Sequence, residues 1–136
     1  MGIKYIGDLP TYSDCYHFIG ATKYRKEVFL SEEKREKLSQ IATDALLRGG
    51  DCEVIAITVA YNHIHVLLKT KRELSKVGMV LFGSTSRLMR QEYPELKEEI
   101  KDGLWGGKSC TYIKDNDHLQ NCKSYIERHQ PDNTKV

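Results

Sequence analysis

Apolar residues along the chain change their spacing several times, and each change marks a structural element. Tyr16–Thr22 is a short apolar run of strand length that ends in the basic cluster Lys23, Tyr24, Arg25 and Lys26. From Ser31 the spacing is helical. Ser31 can cap the first turn, Lys34–Gln40 favour helix, and Leu38, Ile41, Ala45 and Leu46 form one stripe that Gly49 and Gly50 terminate. Two runs rich in branched apolar residues follow, Cys52–Tyr61 and His63–Thr70, with Asn62 as the turn residue between them. They read as neighbouring antiparallel strands. Helical spacing returns over Leu74–Tyr93 through Val77, Leu81, Leu88 and Phe82, weakened by Gly78 and Gly83, until Pro94 ends or restarts it. A short charged helix, Pro94–Ile100, gives way to Leu104–Ile113, which suits a strand interrupted by Gly106 and Gly107. The last element, Asn116–Gln130, is a helix with Asp115 and Asn116 as candidate caps and Leu119, Cys122 and Ile126 on one stripe.

Strands and helices in this order, with an adjacent strand pair at the centre, predict an α+β fold: a ferredoxin-like antiparallel sheet covered by helices. The 136 residues can bury a core without covalent staples, and no repeat or linker divides them. One domain over 1–136 is expected, with 1–14 as an N-terminal extension and 131–136 as a C-terminal tail. Cys15, Cys52, Cys110 and Cys122 contain no Cys-x-x-Cys pair, which argues against a zinc knuckle or thioredoxin-like site and for reduced thiols. No apolar run approaches membrane-spanning length, so a soluble, cytoplasmic protein without a membrane partner is expected. The 21 Lys and Arg against 19 Asp and Glu leave a formal charge of +2, too little to argue for nucleic acid unless basic residues cluster locally.

Residues two apart on a strand point to the same side, so His63 and His65 present two imidazoles on one face. Imidazole nitrogen is a good ligand for manganese, zinc and other divalent ions. A strand histidine is also commonly a buried, hydrogen-bonded side chain, and spacing leaves both readings open. On the terminal helix, Tyr125 and His129 are four residues apart and share a face. From spacing alone, an amphipathic packing tyrosine is the better reading. The chemistry is more specific: a phenol beside a divalent ion loses its proton more easily, and the ion can neutralise charge on a phosphodiester under attack. Metal plus tyrosine points to phosphoryl transfer through a covalent intermediate.

Taken together, these segments resemble the HUH single-tyrosine transposases of prokaryotic insertion sequences, over about Tyr16–Gln130. The resemblance is carried by Thr22-Lys23-Tyr24-Arg25-Lys26-Glu27-Val28-Phe29, by Tyr61-Asn62-His63-Ile64-His65-Val66-Leu67-Leu68, and by Gly83-Ser84-Thr85-Ser86-Arg87-Leu88. Leu104-Trp105-Gly106 and Tyr125-Ile126 complete it. It implies that His63 and His65 hold a divalent ion, magnesium or manganese, and that Tyr125 attacks the scissile phosphate. It further implies a 5′-phosphotyrosine intermediate, a free 3′-hydroxyl that later rejoins strands, no ATP requirement and a homodimer in which the tyrosine helix of one subunit can complete the partner's site. The substrate implied is single-stranded DNA with hairpin ends. The family usually places Gln four residues after the tyrosine as third ligand, whereas this sequence has His129 there, with Gln130 as a fallback.

Single-stranded nucleic acid needs a basic groove for phosphates and aromatic faces for bases. Lys23, Tyr24, Arg25 and Lys26 offer both, Arg87, Arg90 and Lys108 could extend the track, and Trp105 is either a stacking platform or a core residue. Two other functions fit the same residues: a non-catalytic nucleic-acid-binding module, and a metal-dependent phosphodiesterase that uses water while Tyr125 positions substrate.

Overall fold

Branched and aromatic residues form the strands, and the structure, a computed structural model that describes residues 2–3 and 9–133, joins them in one antiparallel sheet. Residues 1 and 4–8 of the expected extension and 134–136 of the expected tail lie outside the described residues. The chain begins with strand β1 (Gly2–Ile3), β2 (Cys15–Thr22) and a 3-10 turn (Lys23–Arg25), followed by helix α1 (Glu32–Arg48), β3 (Cys52–Val59) and β4 (His63–Thr70). Helix α2 (Leu74–Gly78) then runs through a π-helical turn (Met79–Gly83) into α3 (Ser84–Glu92), and α4 (Glu95–Glu99), β5 (Trp105–Tyr112) and α5 (Asn116–Arg128) complete the order.

Across the sheet the strands lie β1-β3-β4-β2-β5, and every neighbouring pair is antiparallel. β2–α1–β3 and β4–α2/α3–β5 are therefore two interleaved units, each enclosing a strand of the other, which is the ferredoxin-like arrangement expected from the sequence. β1 differs from expectation. Its residues fall in the stretch treated as an extension, yet Gly2 and Ile3 pair with Ile57 and Ala56 of β3. Two residues are too short a run for a period to show.

The sheet carries a separate apolar layer on each face. Phe18, Val54, Ile57, Val66 and Leu68 pack beneath α1 and the α2–α3 helix, together with Phe29, Leu38, Leu81 and Met89. Cys15, Ile55, Ala56, Leu67 and Ile113 pack on the other face beneath Leu119, Cys122 and Ile126 of α5. A bulge makes this possible in β3. Val54 lies opposite Leu68 and Ala56 opposite Leu67, leaving Ile55 as the extra residue, so Ile55 and Ala56 both serve the α5 face.

The caps follow the sequence. Ser31 accepts a hydrogen bond from the Lys34 amide, and Asp115 from the His118 amide at 2.7 Å. The long helix departs from its simple period. A π turn inserts one residue, so the buried positions after Leu81 and Phe82 are Thr85 and Met89, while the expected Leu88 is only half-buried. Flanking Gly78 and Gly83 have no side chain to crowd the wider turn.

Candidate active site

His63 and His65 enter the site because both belong to β4, a central strand whose odd-numbered residues face α5. Each is fully enclosed, at 0% and 1% exposure. His129 reaches the same spot from beyond α5, and its Nε2 lies 2.8 Å from Nε2 of His63. One nitrogen from each of the three imidazoles lies within 4.8 Å of the others. Two nitrogens bound to one small divalent ion stand about 3.0–3.4 Å apart, so this trio is already near ligand spacing.

Hydrogen bonds settle which nitrogen is available on His63. The Asn62 amide Nδ2 donates to the Arg25 carbonyl at 3.2 Å, which turns its Oδ1 toward His63 as acceptor. His63 Nδ1–H therefore donates to Asn62, over 2.8 Å, and its lone pair lies at Nε2, on the His129 side. His65 Nε2 and His129 Nδ1 are buried and have no hydrogen-bond partner among the described residues. Unpartnered buried nitrogens of this kind fit a cation ligand set better than a closed hydrogen-bond network.

The electrostatics agree. Burial, then the charge of His129 and Arg25, lowers the His63 pKa to about 4. Burial, then His17, His129 and His63, lowers His65 to about 2, and burial lowers His129 as well. Each imidazole is thereby kept neutral, the form that binds metals.

Tyr125 flanks the cluster. Its ring centroid is 5.5 Å from that of His65 and 5.2 Å from that of His129, and the residue is 39% exposed, so the phenol borders both imidazoles and solvent. One expectation is corrected. The helix expected to reach Gln130 ends at Arg128, with His129 as its C-cap (φ −68, ψ 125), and the His129 ring still lies beside that of Tyr125. Pro131 follows closely, and its carbonyl accepts a hydrogen bond from the Tyr61 amide, which ties this segment to the β3–β4 turn. Gln130 is exposed, and His129 is the residue grouped with His63 and His65.

The expected DNA track does not form one surface. Tyr24 stands 91% exposed at the tip of the turn after β2, with Tyr24 and Arg25 both at positive φ (60 and 52). The adjacent lysines brace that turn. Lys23 Nζ donates to the Asp102 carbonyl at 2.6 Å and Lys26 Nζ to the Glu99 carbonyl at 2.7 Å. Ala21, just before this turn, lies opposite His63, and the Arg25 carbonyl accepts from the Asn62 amide next to His63. Arg87, exposed, and Arg90, half-buried, are on α3 over the opposite face, and Lys108 sits there above the Phe82 ring at 6.0 Å.

Trp105 is a correction. It is 6% exposed, packed against Phe29 and Phe82, with its indole N–H donated to the Thr85 hydroxyl at 2.9 Å, so its faces are covered by core residues.

Two contributors are not singled out by the sequence. Asn62 reads there only as a turn residue, and His17 as part of an apolar run. His17 Nε2 lies 2.9 Å from His65 Nδ1, and burial followed by the charge of His118 and His129 lowers its pKa to about 4. A signal for His17 is present: it alternates with Phe18 and therefore faces the same side as Cys15 and Ala21, where a second polar group on a central strand calls for a partner.

The family described as "Transposase IS200 like" matches residues 11–129. Among solved structures, a candidate transposase from Deinococcus radiodurans R1 is 27% identical, with a TM-score of 0.68 over 91% of this chain and 95% of that one. A REP-associated tyrosine transposase bound to a REP hairpin shares the fold at 12% identity and a TM-score of 0.56, over 90% of this chain and 69% of that one. No curated protein matches the sequence.

Proposed function

This chain belongs to the IS200-like transposase family, and from that premise we propose that it cuts and rejoins single-stranded DNA through a covalent bond between Tyr125 and a 5′ phosphate. The observation that carries the reading is the convergence of His63, His65 and His129 on one buried spot with the Tyr125 ring beside it.

His63, through Nε2, His65, through Nε2, and His129 would hold magnesium or manganese. The ion supplies positive charge to a phosphodiester oxygen and lowers the cost of ionising a nearby phenol. Tyr125 Oη loses its proton and bonds to phosphorus while the bond from phosphorus to the 3′ oxygen breaks. That oxygen takes up a proton and leaves as a 3′-hydroxyl. The 5′-phosphotyrosine retains an activated ester, so attack by a 3′-hydroxyl reverses the step and joins strands without ATP. Partial exposure of Tyr125 gives the scissile strand access, and burial of the imidazoles keeps the ligands neutral and dry.

The substrate we infer is single-stranded DNA bearing a hairpin, consistent with the REP hairpin held by the structural relative. In this reading the exposed Tyr24 would stack on a base and Arg25 would meet a phosphate, with Lys23 and Lys26 bracing the turn. The working unit is a homodimer, for which light scattering is expected to give about twice 15.7 kDa. A monomeric mass in a preparation that cleaves DNA contradicts that assembly.

Incubation with hairpin-bearing single-stranded DNA and manganese is expected to yield a protein–DNA adduct on a denaturing gel. Tyr125→Phe is expected to abolish the adduct, and His63→Ala or His65→Ala to abolish adduct and cleavage together. Cleavage without an adduct identifies a water-using phosphodiesterase, and binding without cleavage a nucleic-acid-binding module.

A further inference from the structure

We propose that His17 is a positioning residue for the candidate metal centre: it holds His65 in the tautomer that turns its Nε2 lone pair toward His63 and His129. This rests on the reading of those three imidazoles as ion ligands. It adds a residue that neither the sequence motif nor the ligand trio contains.

A neutral imidazole carries one N–H and one lone pair, and the partner of one nitrogen decides the state of the other. For His63 the Asn62 amide makes that choice. His65 has a different neighbour. Its Nδ1 lies 2.9 Å from His17 Nε2, and the two rings are stacked with centroids 5.1 Å apart and planes 29° from parallel. Its Nε2 is buried without a partner among the described residues.

Only two neutral arrangements satisfy the short contact. With His65 Nδ1 as acceptor, the remaining proton sits on Nε2, a buried donor with nothing to receive it, pointing at two other imidazoles. With Nδ1–H donating to His17, Nε2 carries a lone pair, and the unpartnered nitrogen becomes the one a cation requires. The second arrangement leaves no buried donor stranded.

The fold makes His17 able to do this. It lies on β2, hydrogen-bonded to β4 along its length, and Ile19 of β2 lies directly opposite His65. Two positions along the strand on the same face, the His17 ring reaches the outer edge of His65 while His63 and His129 occupy the inner one. Burial on both sides leaves little freedom to exchange these roles.

Long-range proton–nitrogen NMR of the metal-free, nitrogen-15-labelled protein at pH 7.5 reads the tautomer directly. His65 is expected as the Nδ1–H form in the wild type and as the Nε2–H form, commoner in water, in His17→Leu. Cobalt(II) titration followed by its visible absorption is expected to show affinity weakened on the order of tenfold to a hundredfold in His17→Leu. His17→Gln, whose amide oxygen can accept the same proton, is expected to recover most of it. A wild-type His65 in the Nε2–H form overturns the proposal even if no variant folds. Equal cobalt affinity in wild type and His17→Leu, or equal weakening in the Leu and Gln variants, overturns it while leaving the three-ligand reading intact. Failure of the wild type to bind cobalt overturns both.

Discussion

Trp105 shows how a single side chain's role depends on which neighbours the fold supplies. Between Phe29 and Phe82, with its N–H satisfied by Thr85, it stabilises the layer beneath the helices. Trp105→Ala is expected to cost about 3–5 kcal/mol in urea denaturation, because a large cavity remains and the indole hydrogen bond to Thr85 is lost. A variant of unchanged stability with weakened DNA binding would return Trp105 to a surface role. The His63 and His65 pair was legible because period two on a strand is strict. The roles of Asn62 and His17 were not, because each depends on a contact across 37 or 48 residues of chain. The lysines beside Tyr24 were legible as basic but not as braces, since the carbonyls they hold belong to a loop about 75 residues away.

At the level of elements, backbone meets backbone closely where the turn after β2 crosses β5. A methyl group on Gly106 would lie 2.9 Å from Lys23 Cα, a backbone atom that has little room to yield. Gly106→Ala is therefore expected to destabilise by about 1–3 kcal/mol and to disturb the turn that presents Tyr24. Gly107→Ala serves as the contrast, since its added carbon meets only Ala21 Cβ at 4.0 Å. Equal melting temperatures for the two variants contradict this assignment. Strands β2 to β5, α1 and the caps at Ser31 and Asp115 follow from local pattern. The π turn does not, because both α and π spacing place Leu81 inward and differ only one turn later, at Leu88 and Met89. The end of α5 was overestimated for a related reason. Arg128, His129 and Gln130 are each compatible with helix, and Pro131, which disfavours helix just before it, competes with that tendency.

For the whole molecule, burying so many imidazoles makes stability depend on pH. His17 and His63 have pKa values lowered to about 4 and His65 to about 2, against about 6.5 in an unfolded chain. The unfolded state therefore binds these protons first. Full stability is held above pH 6.5 and declines as pH falls toward 4, by about 1 kcal/mol per such histidine between pH 7.5 and 5.5. Urea midpoints at those two values test this, and an unchanged midpoint contradicts it. A bound ion works in the opposite direction: manganese at a hundred times its dissociation constant is expected to add about 2.7 kcal/mol, read as a raised melting temperature that His65→Ala loses. Tyr125 and His129, only four residues apart, have different moorings. The phenol rides on α5, whereas the imidazole sits on extended chain that Pro131 laces to the β3–β4 hairpin. A pull on the helix therefore meets at His129 a second tether, through Pro131, that Tyr125 lacks.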